Sequence, residues 1–300
     1  MPRLFYCDHY AIELPPGHKF PMPKYRMVRD RLARTGLFSF QCAQPAPPDV
    51  VALAHDESYV QQILDGSLPR AAIRRIGFPW SPGLVLRSLA SVGGTMGASL
   101  DALERGWGGN LAGGTHHAFR DEGSGYCVFN DMAIAIQFLR RNGRVRRAAI
   151  VDLDVHQGDG TAMIFQEDED VFTLSLHGAK NFPFRKQKSR IDIALPDGMT
   201  DGAYLETLED VLPRVFEFQP DIVFYQSGVD ALDSDTLGRL SLSMAGLSAR
   251  DTMVMQAVRA ARIPLVVTLG GGYSSPLERT AEAHANTFLN ALSVFNTPLR

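Results

Sequence analysis

The sequence predicts an α/β fold built on a largely parallel sheet, and three observations carry that reading. From about residue 110 onward, short apolar runs alternate with longer amphipathic ones, the pattern of successive βα units. The clearest strand, Ala148 to Leu153 (AAIVDL), is a continuous apolar run, as expected for a strand covered on both faces. No linker-like composition, internal repeat or low-complexity segment divides the chain. One domain spanning residues 1–300, with an N-terminal elaboration, is therefore expected.

In chain order, Pro15, Pro16, Pro21, Pro23, Pro45, Pro47 and Pro48 cut the first part into loops around one helix near Tyr25 to Thr35. A long helix follows from about Pro82 to Glu104. Beyond Ala148 to Leu153, the runs Val171 to Leu176, Asp221 to Gln226 and Pro264 to Leu269 are short, β-branched or aromatic, and bounded by turn formers. Between them, Asp201 to Glu217, Ser248 to Arg262 and Pro276 to Leu292 carry apolar residues at helical spacing, with Ser248 as a candidate N-cap.

Composition narrows the function. Hydrophobic residues at 45% and charged residues at 21% exclude a disordered chain or a coiled coil. Thirty Lys and Arg against thirty-three Asp and Glu give a net charge of −3, so no direct nucleic-acid partner is expected. Cys7, Cys42 and Cys127 are odd in number and far apart, which fits reduced thiols. No signal peptide or membrane-spanning run is evident, and a soluble, cytoplasmic protein is expected. Glycine is in mild excess, 27 of 300 residues against roughly 7% on average, and much of it lies in three clusters.

The first cluster ends the clearest strand: VDLDVHQGDG, residues 151–160. Asp152, Asp154 and His156 are spaced by two, so an extended backbone turns them to one side, where carboxylate and imidazole can converge on a metal ion. The carboxyl edge of the strands is also where open α/β sheets place ligands. An Asp-rich turn with a helix cap and a hydrogen-bonded His reads the same residues without a metal. Asp230, just past the strand that ends at Gln226, supplies a third candidate ligand, and a catalytic zinc site of three protein ligands keeps a fourth position open. Two carboxylates would neutralise Zn²⁺, so such a site calls for a separate base.

The second cluster, GGTHHAFRDEGSG at 113–125, offers His116 and His117. They face one point only if the loop turns at Gly113 and Gly114; otherwise the pair is structural. Asp152 and Asp159 are the carboxylates available to fix their tautomers. In the third cluster, GGGY at 270–273, a phosphate loop is disfavoured because neither GxGxxG nor GK[ST] is present. Tyr273 could donate to an oxyanion there, or simply pack against a helix.

Together, GGTHHA at 113–118, GSGYC at 123–127, DLDVHQGDG at 152–160, SGVDALDSD and LGRLSLS within 227–243, and GGGY at 270–273 resemble the zinc-dependent histone deacetylase superfamily, over about residues 50 to 290. The stretch GVDALDSDTLGRLSLSMAG and IGFPWS at 76–81 are most similar to its class IV branch and bacterial relatives. The resemblance implies a three-layer α/β/α sandwich of the arginase/deacetylase type with a mainly parallel eight-stranded sheet. It assigns one zinc per chain to Asp154, His156 and Asp230, a histidine dyad to His116 and His117 backed by Asp152 and Asp159, and carbonyl polarisation to Tyr273. It assigns substrate contacts to Gly125, Tyr126 and Phe182. A structural K⁺ or Na⁺ ion would be held by Asp152, Asp154, His156, Ser175 and Leu176, and a second cation would lie near Phe165, Asp168 and Val171. Gly158 and Leu232 stand where two-manganese relatives of the fold have carboxylates, which favours one metal.

The activity implied is hydrolysis of acetyl or longer fatty acyl groups from lysine side chains of proteins or peptides, with His117 as main general acid and base. An acetylpolyamine-type substrate is the first rival, and the basic stretch FRKQKSR at 184–190 speaks against it. A non-catalytic acyl-binding protein is the second. Oligomeric state is open.

Overall fold

Strands apolar on both faces are stable only between two covering layers. The computed structural model, which describes residues 1–10 and 12–296, provides those layers. The strands are β1 (Arg3–Tyr6), β2 (Ser39–Cys42), β3 (Trp107–Asn110), β4 (Ala148–Asp152), β5 (Val171–Gly178), β6 (Ile191–Leu195), β7 (Ile222–Gln226) and β8 (Leu265–Thr268). The helices of the first half are α1 (Lys24–Ala33), α2 (Pro48–Val51), α3 (Glu57–Asp65), α4 (Arg70–Ile76), α5 (Pro82–Arg105) and α6 (Asp131–Arg141). Those of the second half are α7 (Asp159–Ile164), α8 (Asp201–Val211), α9 (Pro213–Glu217), α10 (Met244–Ala260) and α11 (Leu277–Asn296).

Among the described residues these strands form one sheet in the order β2-β1-β3-β8-β7-β4-β5-β6, and every pairing is parallel. The period of two sorts the side chains. Ala149, Val151, Val223, Tyr225, Leu265 and Val267 face the layer of α1, α8, α10 and α11. Ala148, Ile150, Ile222, Phe224 and Val266 face α2, α3, α5 and α6. All are buried, and each fully buried Val, Ile or Leu contributes roughly 1.5–3 kcal/mol. The result is the three-layer α/β/α sandwich that the resemblance implies. The expected unit of 1–300 includes Ala11 and residues 297–300, which lie outside the described residues.

Helix boundaries follow local chemistry. The Ser81 hydroxyl accepts from Leu84 N–H at the start of α5, Pro82 takes the first turn, and Gly106 closes the helix at φ 88°. The stretch expected as one helix from Asp201 to Glu217 is two, because Pro213 cannot continue the ladder of α8 and starts α9 instead. Ser248 is not an N-cap. The helix begins at Met244, where the Ser243 hydroxyl accepts from Gly246 N–H, while Ser248 Oγ sits beside Asn290.

Because the strands are parallel, their carboxyl ends share one edge. Asp152 is level with Ser175 on one side and Gln226 on the other, and Gln226 with Thr268. The loops after β3, β4, β5, β7 and β8 therefore open onto the same ground.

Candidate active site

The loop after β4 carries Asp154 and His156, and the loop after β7 carries Asp230. The strand ends at Asp152, so the spacing of two does not continue as extended backbone; the chain turns instead and sends Asp152 to a different partner. His156 Nδ1 lies 3.1 Å from Asp154 Oδ1 and 3.0 Å from Asp230 Oδ2. One donor atom from each of the three residues lies within 4.8 Å of the others. Backbone N–H groups hold both carboxylates in place: His156 and Gly271 donate to Asp154 at 3.0 and 2.7 Å, and Val155 donates to Asp230 at 2.8 Å.

Gly271 approaches so closely that a Cβ there would lie 2.0 Å from Asp230 Oδ2 and 2.8 Å from Asp154 Oδ2. Only glycine allows the loop after β8 to close over the carboxylates. Two fully buried carboxylates facing each other beside an imidazole form a nitrogen and oxygen donor set that fits a zinc ion. Without a cation their charges are strained. Burial and the Asp154 charge push Asp230 up to about 7. Burial opposes a charge on His156, yet hydrogen bonds to Asp154 and Asp230 and both carboxylate charges carry it up to about 10.

The loop after β3 brings His116 and His117 to the same place, with ring centroids 4.1 Å apart. Gly113 and Gly114 make the turn, at φ 77° and 73°. His116 Nδ1 is 2.6 Å from Asp152 Oδ2 and His117 Nδ1 is 2.6 Å from Asp159 Oδ1. A carboxylate only accepts, so Nδ1 carries the proton in each ring and Nε2 is the remaining atom. Their electrostatics differ. For His116, burial is outweighed by the charges of Asp152 and Asp154, and its value rises to about 9. For His117, burial and the charge of His116 lower it to about 4, which keeps it neutral near pH 7.

His116, His117, Asp154 and His156 line a cleft of about 660 Å³ whose wall includes Gly125, Tyr126, Phe182 and Tyr273. The Phe182 ring stands edge-on to His117 at 5.0 Å, and Tyr126 lies 6.4 Å from Tyr273. Tyr126 has φ 66°, and its N–H donates to Ile76 carbonyl at 2.8 Å. The main chain of Tyr273 is pinned by Asp235, which accepts its N–H at 2.6 Å, and by Thr236, which donates to its carbonyl at 2.8 Å. Burial pushes the Tyr273 phenol well above its ordinary range, so it is a hydrogen-bond donor. Of the groups expected at a monovalent ion, Asp152 is engaged by His116 and the Asp154 N–H, and Ser175 Oγ lies 3.0 Å from His177 Nδ1 in β5 beside Leu176.

The structure adds residues that sequence reasoning missed. Asp131 accepts from Gly114 N–H, Thr115 N–H and the Thr115 hydroxyl, and so fixes the turn before the histidines. Lys24, from the first helix, is buried with Nζ 2.8 Å from Gly270 carbonyl and 5.3 Å from the Tyr273 ring. Arg250 is fully buried and donates to the carbonyls of Leu153 and Gly228, one at the root of each ligand-bearing loop. Asp235 stood inside a motif, but nothing local assigned it a role. The other three act across 16 to 246 residues of sequence, which no short motif reveals.

Comparison with known proteins gives the family. The sequence model of the histone deacetylase domain matches residues 18–288. An uncharacterized protein of Picosynechococcus is 44% identical over 287 residues, covering 93% of this chain and 95% of that protein. Histone deacetylase 2 of Arabidopsis thaliana is 39% identical over 186 residues, 61% of this chain and 48% of that protein. Histone deacetylase RPD3 of Saccharomyces cerevisiae is 30% identical over 285 residues, 86% of this chain and 64% of the yeast protein. The chain thus spans about half of the Arabidopsis protein and just under two thirds of the yeast one.

Proposed function

The chain belongs to the histone deacetylase family, and on that premise we propose that it is a zinc-dependent amidohydrolase that removes acyl groups from lysine side chains of proteins or peptides. One observation carries the reading: Asp154 and His156 line a cleft together with His117 and Tyr273, and the buried Asp230 converges on the same two residues from behind. A zinc ion held by those three residues would supply Lewis-acid polarisation of the acyl carbonyl and acidify water.

The chain's own groups have separable tasks. Asp159 holds the His117 Nδ1 proton, so Nε2 can accept a proton from the attacking water and pass it to the departing lysine amine. His116, held by Asp152, provides a second polar group beside it. The Tyr273 hydroxyl donates to the oxygen on which negative charge develops. Tyr126 and Phe182 give the cleft apolar walls that suit the methylene chain of lysine, and the Gly125 carbonyl is the acceptor assigned to the substrate amide N–H. Tyr273→Phe should lower kcat by about 10²–10³ with little change in melting temperature, and unchanged kcat on every cleaved substrate would remove the oxyanion role.

The substrate class is tested by acyl-lysine peptides against acetylpolyamines. Polyamines are cations, and four cationic side chains line the cleft while Asp154 is the one carboxylate among its lining residues. Exclusive polyamine turnover would overturn the lysine assignment. The proposal extends to fatty acyl groups, because 660 Å³ lies in the range that encloses whole drug-sized ligands. Faster removal of myristoyl than of acetyl from one peptide is the expected outcome, and equal or faster acetyl removal counts against it.

A further inference from the structure

The exposed charged side chains that line the cleft are all of one sign. Arg74 and Arg75, from α4, line it together with Lys180 and Arg239, and all four are exposed. Arg75 pairs with Glu122, while Lys180 and Arg239 share Asp197 at 3.6 and 3.2 Å. Four cations against these two acids leave two positive charges at the rim. Arg74 has no ion-pair partner among the described residues. Lys186 is spoken for in another way: its ammonium donates to the Asn181 and Pro183 carbonyls and so ties down the turn that carries Phe182 and Phe184. Phe184 stands 91% exposed beside Arg185 on that turn.

We propose that this rim selects acyl-lysines flanked by acidic residues, with Arg74 as the main specificity-determining contact; the inference rests on the acyl-lysine reading of the cleft. A lysine side chain that enters the cleft leaves its neighbours in the substrate at the mouth, among these cations. An arginine free of an internal partner meets a carboxylate in a bidentate fork and gives up no existing pair to do so. Lys180 and Arg239 divide a single carboxylate between them, so they too have donors to spare. A protein segment fits better than a nucleic acid, because the four cations line a single cleft and the chain as a whole carries −3.

Two peptides test the inference: the same acyl-lysine flanked on both sides by Glu or by Lys, with a flank-free acyl-lysine amide as reference. Each exposed ion pair shifts affinity about two- to fivefold, so kcat/KM should favour the Glu peptide by about tenfold at roughly 0.05 M salt. That ratio should fall toward one at about 0.5 M salt, where screening is strong. Arg74→Glu should abolish or invert the preference at an unchanged melting temperature, and Arg239→Glu should diminish it. Anisotropy of labelled, non-hydrolysable versions should give the same order. A preference for the Lys peptide, equal rates, or a preference untouched by Arg74→Glu overturns the rim assignment while cleavage of the reference amide leaves the activity standing. No cleavage of any acyl-lysine compound overturns the activity, and the anisotropy order then judges the rim alone. Displacement of the Glu peptide by an oligonucleotide at physiological salt would assign the rim to nucleic acid and overturn it for peptides.

Discussion

His55 lies away from the cleft, yet it makes acid stability a one-residue question. Asn130 N–H donates to its Nε2 at 2.9 Å, so its proton sits on Nδ1, 3.3 Å from Arg120 carbonyl. A second proton would displace Asn130, the residue whose side chain caps α6 by accepting from Ala133 N–H. Burial lowers His55 from 6.5 to about 4. Between those values the unfolded chain binds more protons than the folded one, so stability falls as pH drops from 6.5 to 4. The full loss from this residue is about 3 kcal/mol. His55→Gln should therefore be less stable than the parent at pH 7.5, with the gap in urea unfolding narrowing toward pH 4.5; a constant gap would refute the linkage. Arg250 tests the opposite chemistry. Arg250→Met leaves Asp251 buried without its charge partner, and a loss of about 3–5 kcal/mol is expected in the same urea assay. At this scale the sequence was most legible where residues of one short segment converge, as Asp154 and His156 do. It was least legible for Lys24, Asp131 and Arg250, whose partners are fixed only once the layers pack.

Elements were legible where hydrophobicity runs unbroken and hidden where it does not. The buried central strands β4, β5, β7 and β8 all stand out as apolar runs. At the margins, β1 and β2 are four residues long, and β6 alternates exposed and partly buried positions because it closes the sheet's other edge. The strand β3, Trp107–Asn110, reads WGGN and carries almost no side-chain pattern, although it sits inside the sheet. Its glycines are explained by α5. A Cβ at Gly108 would lie 2.0 Å from the Ala98 carbonyl, so the helix rests directly on the strand backbone. The same crowding inverts an ordinary rule on α5 itself. Gly→Ala inside a helix normally gains about 0.5–1 kcal/mol, but a Cβ at Gly93 would meet the Gln44 carbonyl at 1.8 Å. Gly93→Ala should instead cost about 1–3 kcal/mol through overpacking, read as a lowered urea midpoint, and a stabilised variant would show that the loop around Gln44 moves away at little cost.

The sheet order determines how the whole molecule should respond to its metal. Strands from the start of the chain, β1 and β2, reach the C-terminal strand β8 through β3, and β8 continues into β7 and β4, whose loops bear the donor residues. A cut between β3 and β8 would part β1–β3 from β4–β8, but neither side would keep a core of its own, because the two apolar clusters each draw on residues from both parts. Thermal unfolding should then be one transition, and a ligand at the edge of β4 and β7 should move all of it. Zinc at one hundred times its dissociation constant would add about 2.7 kcal/mol. For a chain of this size that is a rise of roughly 4 °C in melting temperature. Chelation should reverse the shift, and Asp230→Asn should flatten it, since the variant lacks one of the two carboxylate charges that face the ion. If two transitions appear and chelation moves only one, the sheet does not couple the halves. If a single transition ignores zinc altogether, Asp154, His156 and Asp230 are not a metal site, and the proposed hydrolysis fails with them.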